Sequence, residues 1–76
     1  MSHTDTCVIL FFSNNHVFWA QEVFKEQHIE HRIVPVPRHL SSDCGYCIRA
    51  PRDLKEAAVA LLNEEGIEID QVVDEQ

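Results

Sequence analysis

The segment Thr6–Phe12, TCVILFF, is β-branched, aliphatic and aromatic with almost no polar interruption. Its apolar part, Cys7–Phe12, is far too short to span a bilayer, but it suits a central strand covered on at least one face. With only 76 residues the chain has material for one domain, near the size at which a single core stabilises a fold only marginally. The expected core runs over about residues 6–74, and the polar start Met1–Asp5 is expected to fray.

The remaining apolar patterns fall into place around that strand. Ser13, Asn14 and Asn15 supply N-cap chemistry, so a helix is expected from about His16 to about His28, with Val17, Ala20, Val23 and Phe24 as its buried stripe. Phe18 and Trp19 flank the stripe and are expected to cover the edge of the core. Ile33, Val34 and Val36 mark a second strand from His31 to about Pro37, and Pro35 within it implies an edge position, because proline donates no ladder hydrogen bond. After a loop from Arg38 to Gly45, Tyr46–Ala50 reads as a short third strand. Pro51 suits the first turn of a second helix, whose stripe is Leu54, Ala57, Ala58, Leu61 and Leu62 and whose C-cap is Gly66. Ile67, Ile69, Val72 and Val73 read as a fourth strand.

The order β-α-β-β-α-β predicts an α+β, ferredoxin-like fold: a four-stranded antiparallel sheet with two helices on one face. Chain direction then places the Ser13–Asn15 turn and the Arg38–Gly45 loop at the same end of the sheet, so Cys44 is expected beside the start of the first helix. Cys7 enters the first strand at the other end and is expected in the core.

Hydrophobic residues make up 45% and charged residues 25%, as in ordinary globular proteins. The net charge of −7 argues against nucleic-acid affinity. No segment reads as a membrane span or signal peptide, so a cytoplasmic location is expected. Three cysteines cannot close a disulfide framework, which favours reduced thiols. The charge is uneven: residues 31–55 hold five Lys or Arg against two acids, a local +3.

That basic stretch contains PVPRHLSSDCGYCIR, residues 35–49, where any chemistry is expected to lie. A thiol reacts as its thiolate, which a helix N-terminus, a histidine or an arginine stabilises. The first-helix amides, His16, and Arg38 or Arg49 are candidate neighbours for Cys44, expected to favour its thiolate. Ser41 and Ser42 are candidate donors to an anion held there, and Gly45 permits close backbone approach. Cys47 completes a CxxC pair. Positions three apart in an extended strand face opposite ways, so a disulfide with Cys44 needs the turn to persist through Tyr46. The scattered histidines lack a second ligand pair at metal-finger spacing, and no metal or other cofactor is expected.

The patterns FFSNNHVFWAQEVFKEQ, IVPVPR and SSDCGYCIR together resemble the small selenium or sulfur carrier-like protein family, and the resemblance covers most of the chain. It implies Cys44 as the carrier thiol in a setting of Arg38, Ser41, Ser42, Gly45 and His16, with Cys47 as either a resolving thiol or core filling. The implied activity is to hold a sulfur or selenium atom as a persulfide or selenosulfide and pass it to sulfur- or selenium-handling proteins, as a carrier rather than a stand-alone enzyme. A monomer or weak homodimer is expected. The residues leave two other readings open: a non-catalytic interaction or regulatory module using Phe18 and Trp19, and a thiol-disulfide or metal-binding protein using both Cys44 and Cys47.

Overall fold

A computed structural model describes residues 5–40 and 44–75. Of the start expected to fray, Met1–Asp5, residues 1–4 lie outside the described residues, as do Ser41 and Ser42, while the Asp5 carbonyl accepts from the Arg52 amide at 3.2 Å. The elements are β1 (Thr6–Leu10), α1 (Asn14–Glu26), β2 (Arg32–Pro35), β3 (Tyr46–Pro51), a 3-10 turn (Arg52–Leu54), α2 (Lys55–Glu65) and β4 (Gln71–Glu75). The sheet order is β2-β3-β1-β4, with every neighbouring pair antiparallel. This is the α+β, ferredoxin-like βαββαβ arrangement, and both helices cover one face.

Burial follows the period-two alternation of β1. Ile9, and Phe11 just beyond the strand, pack with Val17, Ala20 and Phe24 of α1 and Ala58 and Leu62 of α2. Val8 and Leu10 point the other way, into a second cluster with Cys47, flanked by Val34, Val36, Leu40 and Val73. Val8, Ile9, Leu10 and Phe11 are all fully buried, so the central strand is covered on both faces. Pro35 does lie on an edge strand, β2.

Element ends differ from the sequence expectation for identifiable reasons. β1 stops at Leu10, whose carbonyl accepts from the Asp70 amide at 2.8 Å, and β2 stops at Pro35. Pro51 closes β3 opposite Thr6 instead of opening α2, and the 3-10 turn makes the transition. Ile67 and Ile69 precede β4. Gly66, at φ +80°, ends α2 by donating to the Asn63 carbonyl at 3.1 Å, while the Ile67 amide donates to Leu62 at 3.0 Å. This double closure pulls Ile67 into the core beside Leu62 as a helix stop.

The same closure ends α1: the His28 amide donates to Lys25 at 3.3 Å and that of Ile29 to Phe24 at 2.9 Å. Here the left-handed position is held by His28, at φ +59°. A β-carbon is disfavoured in that conformation. His28→Gly is therefore expected to raise stability by about 0.5–1 kcal/mol, offset in part by glycine's extra unfolded-state freedom, as read from the urea midpoint.

At the other edge, Glu75 ties β4 down. Arg49 Nε and Nη2 donate to its two carboxylate oxygens at 2.8 and 2.9 Å, and Thr6 Oγ1 donates to Oε1 at 2.7 Å. These bonds, that of Arg49 foremost, hold the Glu75 carboxyl below its ordinary value. A lowered folded-state value means that the stabilisation is present above the unfolded value and lost as pH falls through the folded one. Arg49 is 38% exposed, so solvent screening limits the contribution to about 1 kcal/mol. Glu75→Gln is expected to lower the urea midpoint at neutral pH and to weaken its decline between about pH 5 and pH 3.

Candidate functional site

The site is built where the β1–α1 turn meets the start of β3. Ser13, in extended conformation, caps α1: its Oγ accepts from the His16 amide at 3.3 Å and lies 2.8 Å from His16 Nδ1. The Ser13 hydroxyl thus engages both the backbone and the ring of His16. The cap fixes the first turn and presents Asn14, its first residue, to the β3 side. Cys44 Sγ donates to Asn14 Oδ1 at 2.9 Å. Cys44 is only 5% exposed and packs in the helix-side core near the amide end of α1. The shared end expected from topology is thus occupied by Cys44 and α1, with Asn14 as the contact.

The other candidate residues separate into two groups. His16 sits in the first turn of α1, held by Ser13 and stacked on Trp19 with ring centroids 6.4 Å apart. Gly45 is exposed beside Cys44. Its carbonyl accepts from Val36 at 3.2 Å, and a β-carbon there would meet nothing within 4 Å. Arg38 is exposed in the turn leading to the loop. Arg49 does not accompany them. The alternation of β3 directs Ile48 toward the helices and Cys47 and Arg49 to the opposite face, where Glu75 engages Arg49.

The same alternation separates the CxxC pair. The strand begins at Tyr46, so the turn does not persist through that residue. Cys44 joins the helix-side cluster and Cys47 the opposite one, so the two thiols do not pair with each other. Cys47 is fully buried, with Sγ 4.0 Å from the Pro35 carbonyl. Burial pushes its pKa up to about 11, against a smaller opposing effect of Arg49. Cys7, also fully buried, is raised chiefly by burial and lies opposite Ala50 and Asp74 at the far end of β1. Among the described residues no group of three or more His, Cys, Asp and Glu side chains could hold a metal ion.

Asn14 is the neighbour that sequence reasoning missed. The only signal was its place directly after the Ser13 cap, at the end shared with Cys44. Phe18 and Trp19 also differ from expectation: they are 53% and 45% exposed, because the Val17–Ala20–Val23–Phe24 stripe turns the other side of α1 inward. Phe12 and Tyr46 are exposed as well. All four lie on segments that converge on the Cys44 end: the β1–α1 turn, the first half of α1 and the first residue of β3.

The sequence model of the family described as "Putative Se/S carrier protein-like" matches residues 6–74. The chain belongs to that family. No curated protein and no solved structure matches it. The match to the Se/S carrier-like family covers β1, β2, β3 and both helices whole and β4 as far as Asp74, and so includes both Cys44 and Arg49. No helix among the described residues is long and apolar enough to cross a membrane.

Burial and a pKa near 11 leave Cys47 almost entirely protonated at neutral pH. In the folded protein Cys47 and Cys7 are therefore expected to resist iodoacetamide at pH 7.5 and to label fully in urea. Mass spectrometry of the labelled peptides reads this, and fast native labelling of Cys47 would contradict its placement.

Proposed function

We propose that this Se/S carrier-like protein holds a sulfane sulfur or selenium atom on Cys44, as a persulfide or selenosulfide, and hands it to a partner enzyme. The observation that carries the proposal is the hydrogen bond from Cys44 Sγ to Asn14 Oδ1 at the start of α1. It holds the thiol where helix amides offer partial positive charge to an anionic sulfur. The Asn14 side chain suits both protonation states: its carbonyl oxygen accepts from the thiol, and after rotation its NH2 group donates to a thiolate or perthiolate.

In the loading step the Cys44 thiolate attacks the terminal sulfur of a donor persulfide. A Cys44–sulfur bond forms, the donor's S–S bond breaks, and the donor leaves as a thiolate, with no net oxidation. Delivery is the same exchange in reverse, with an acceptor thiolate attacking the terminal atom and Cys44 leaving. A terminal selenium follows the same path. Gly45 lies exposed beside Cys44, and Arg38, exposed and without an ion pair among the described residues, is available to the anionic cargo. His16, with Ser13, maintains the helix start that this arrangement needs. Cys47 takes no part, since it lies across the sheet.

The second reading, a non-catalytic interaction module, is favoured by the exposed Phe12, Phe18, Trp19 and Tyr46. It treats Cys44 as incidental, whereas the carrier reading uses the same aromatics for docking.

Anaerobic incubation with a low-molecular-weight persulfide, followed by intact-mass and peptide analysis, is expected to add one sulfur at Cys44. The added mass should disappear in Cys44→Ala and persist in Cys47→Ala. Loading that survives Cys44→Ala would overturn the carrier assignment.

A further inference from the structure

A second constellation lies at the opposite end of the sheet from Cys44. Arg32 and Arg49 are direct partners in the antiparallel β2–β3 pair. Their side chains leave the same face with β-carbons about 4.5–5.5 Å apart, an arrangement in which like charges repel. Glu75 engages Arg49 through Nε and Nη2, which leaves its Nη1 hydrogens unclaimed among the described residues. Arg32 is exposed and makes no hydrogen bond or ion pair among the described residues.

Arg32 and Arg49 line a cavity of about 290 Å³ together with Thr6, Glu30, His31, Ala50 and Pro51. His31 is oriented within it: its ring packs against Phe24 with centroids 5.4 Å apart, and Nδ1 lies 2.7 Å from the Ile29 carbonyl. A carbonyl only accepts, so Nδ1 carries the proton and Nε2 is the ring atom left for the cavity. With Arg49 already matched by Glu75, the uncompensated full charges on the lining are Arg32, positive, and Glu30, negative. A bare anion would meet Glu30 and a bare cation would meet Arg32. A zwitterion satisfies both.

We propose that this cavity binds a small α-amino acid, its carboxylate held by the fork of Arg32 and by Nη1 of Arg49 and its ammonium by Glu30. Planar guanidinium groups bind carboxylates in this two-point manner, as Arg49 already does with Glu75. The site is separate from Cys44 and does not depend on the carrier reading.

The test is titration of the full-length protein with L-alanine, acetate and methylammonium, followed by NMR shifts of the Arg32 and Arg49 amides. L-alanine is expected to bind saturably with a Kd at or below about 1 mM, and more tightly than either fragment. Arg32→Ala is expected to weaken L-alanine about tenfold, and Glu30→Gln to weaken L-alanine while leaving acetate unaffected or improved. Both residues are exposed, so both variants are expected to keep the wild-type circular dichroism spectrum and melting curve. Absence of saturation at about 10 mM L-alanine overturns the proposal, as does indifference to Arg32→Ala. Acetate binding as tightly as L-alanine overturns the zwitterion assignment in favour of a plain carboxylate site.

Discussion

The rest of the molecule depends on removing β1 from water on both faces. Val8, Ile9, Leu10 and Phe11 are fully buried in sequence succession. Burying such a side chain contributes roughly 1.5–3 kcal/mol, so four of them together are comparable to the net stability of a small domain. Two helices cover one face. The other is covered without a helix layer, by Val34, Val36, Leu40 and Val73 around Val8, Leu10 and Cys47. Cys47 is therefore a core residue of the second face, and its high pKa follows from the burial that this face requires.

Charge is arranged around that buried strand. Glu75 on β4 reaches Arg49 on β3, with β1 between them, and also accepts from Thr6 on β1 itself, so one carboxylate links three strands at the end where the chain enters the sheet. At the opposite end there is no comparable ionic clamp among the described residues. The contacts are a helix cap, a thiol-amide hydrogen bond and exposed aromatic rings. One end of the sheet is tied by ions, and the other leaves its aromatic rings to solvent.

Much of the fold could be read from residue patterns because those patterns are local. The unbroken run in β1, the four-residue stripe of α1, Pro35 on an edge and Gly66 at a helix end each reflect a constraint acting within a few residues. What could not be read depended on residues suited to two local roles or on partners distant in sequence. Ile67 looked like strand because its apolar character is equally suited to sealing a helix end against Leu62. Pro51 looked like a helix start because proline suits both a first turn and the end of a strand. Arg49 looked like a neighbour of Cys44 on sequence proximity alone, yet its partner lies 26 residues away on β4. Asn14 was hidden by competition within its own turn: Ser13, Asn14 and Asn15 all have capping chemistry, and only the folded geometry selects which one caps and which one meets Cys44.

The placement of two thiols on opposite sides of one sheet bears on the lifetime of a loaded state. A carrier with a resolving thiol in reach would lose its cargo by a first-order reaction at a rate set by its own geometry, whether or not an acceptor were present. Here the sheet stands between Cys44 and Cys47 and closes that route. An atom on Cys44 would leave only in a second-order encounter, so the occupancy of the carrier would follow the concentration of its acceptors.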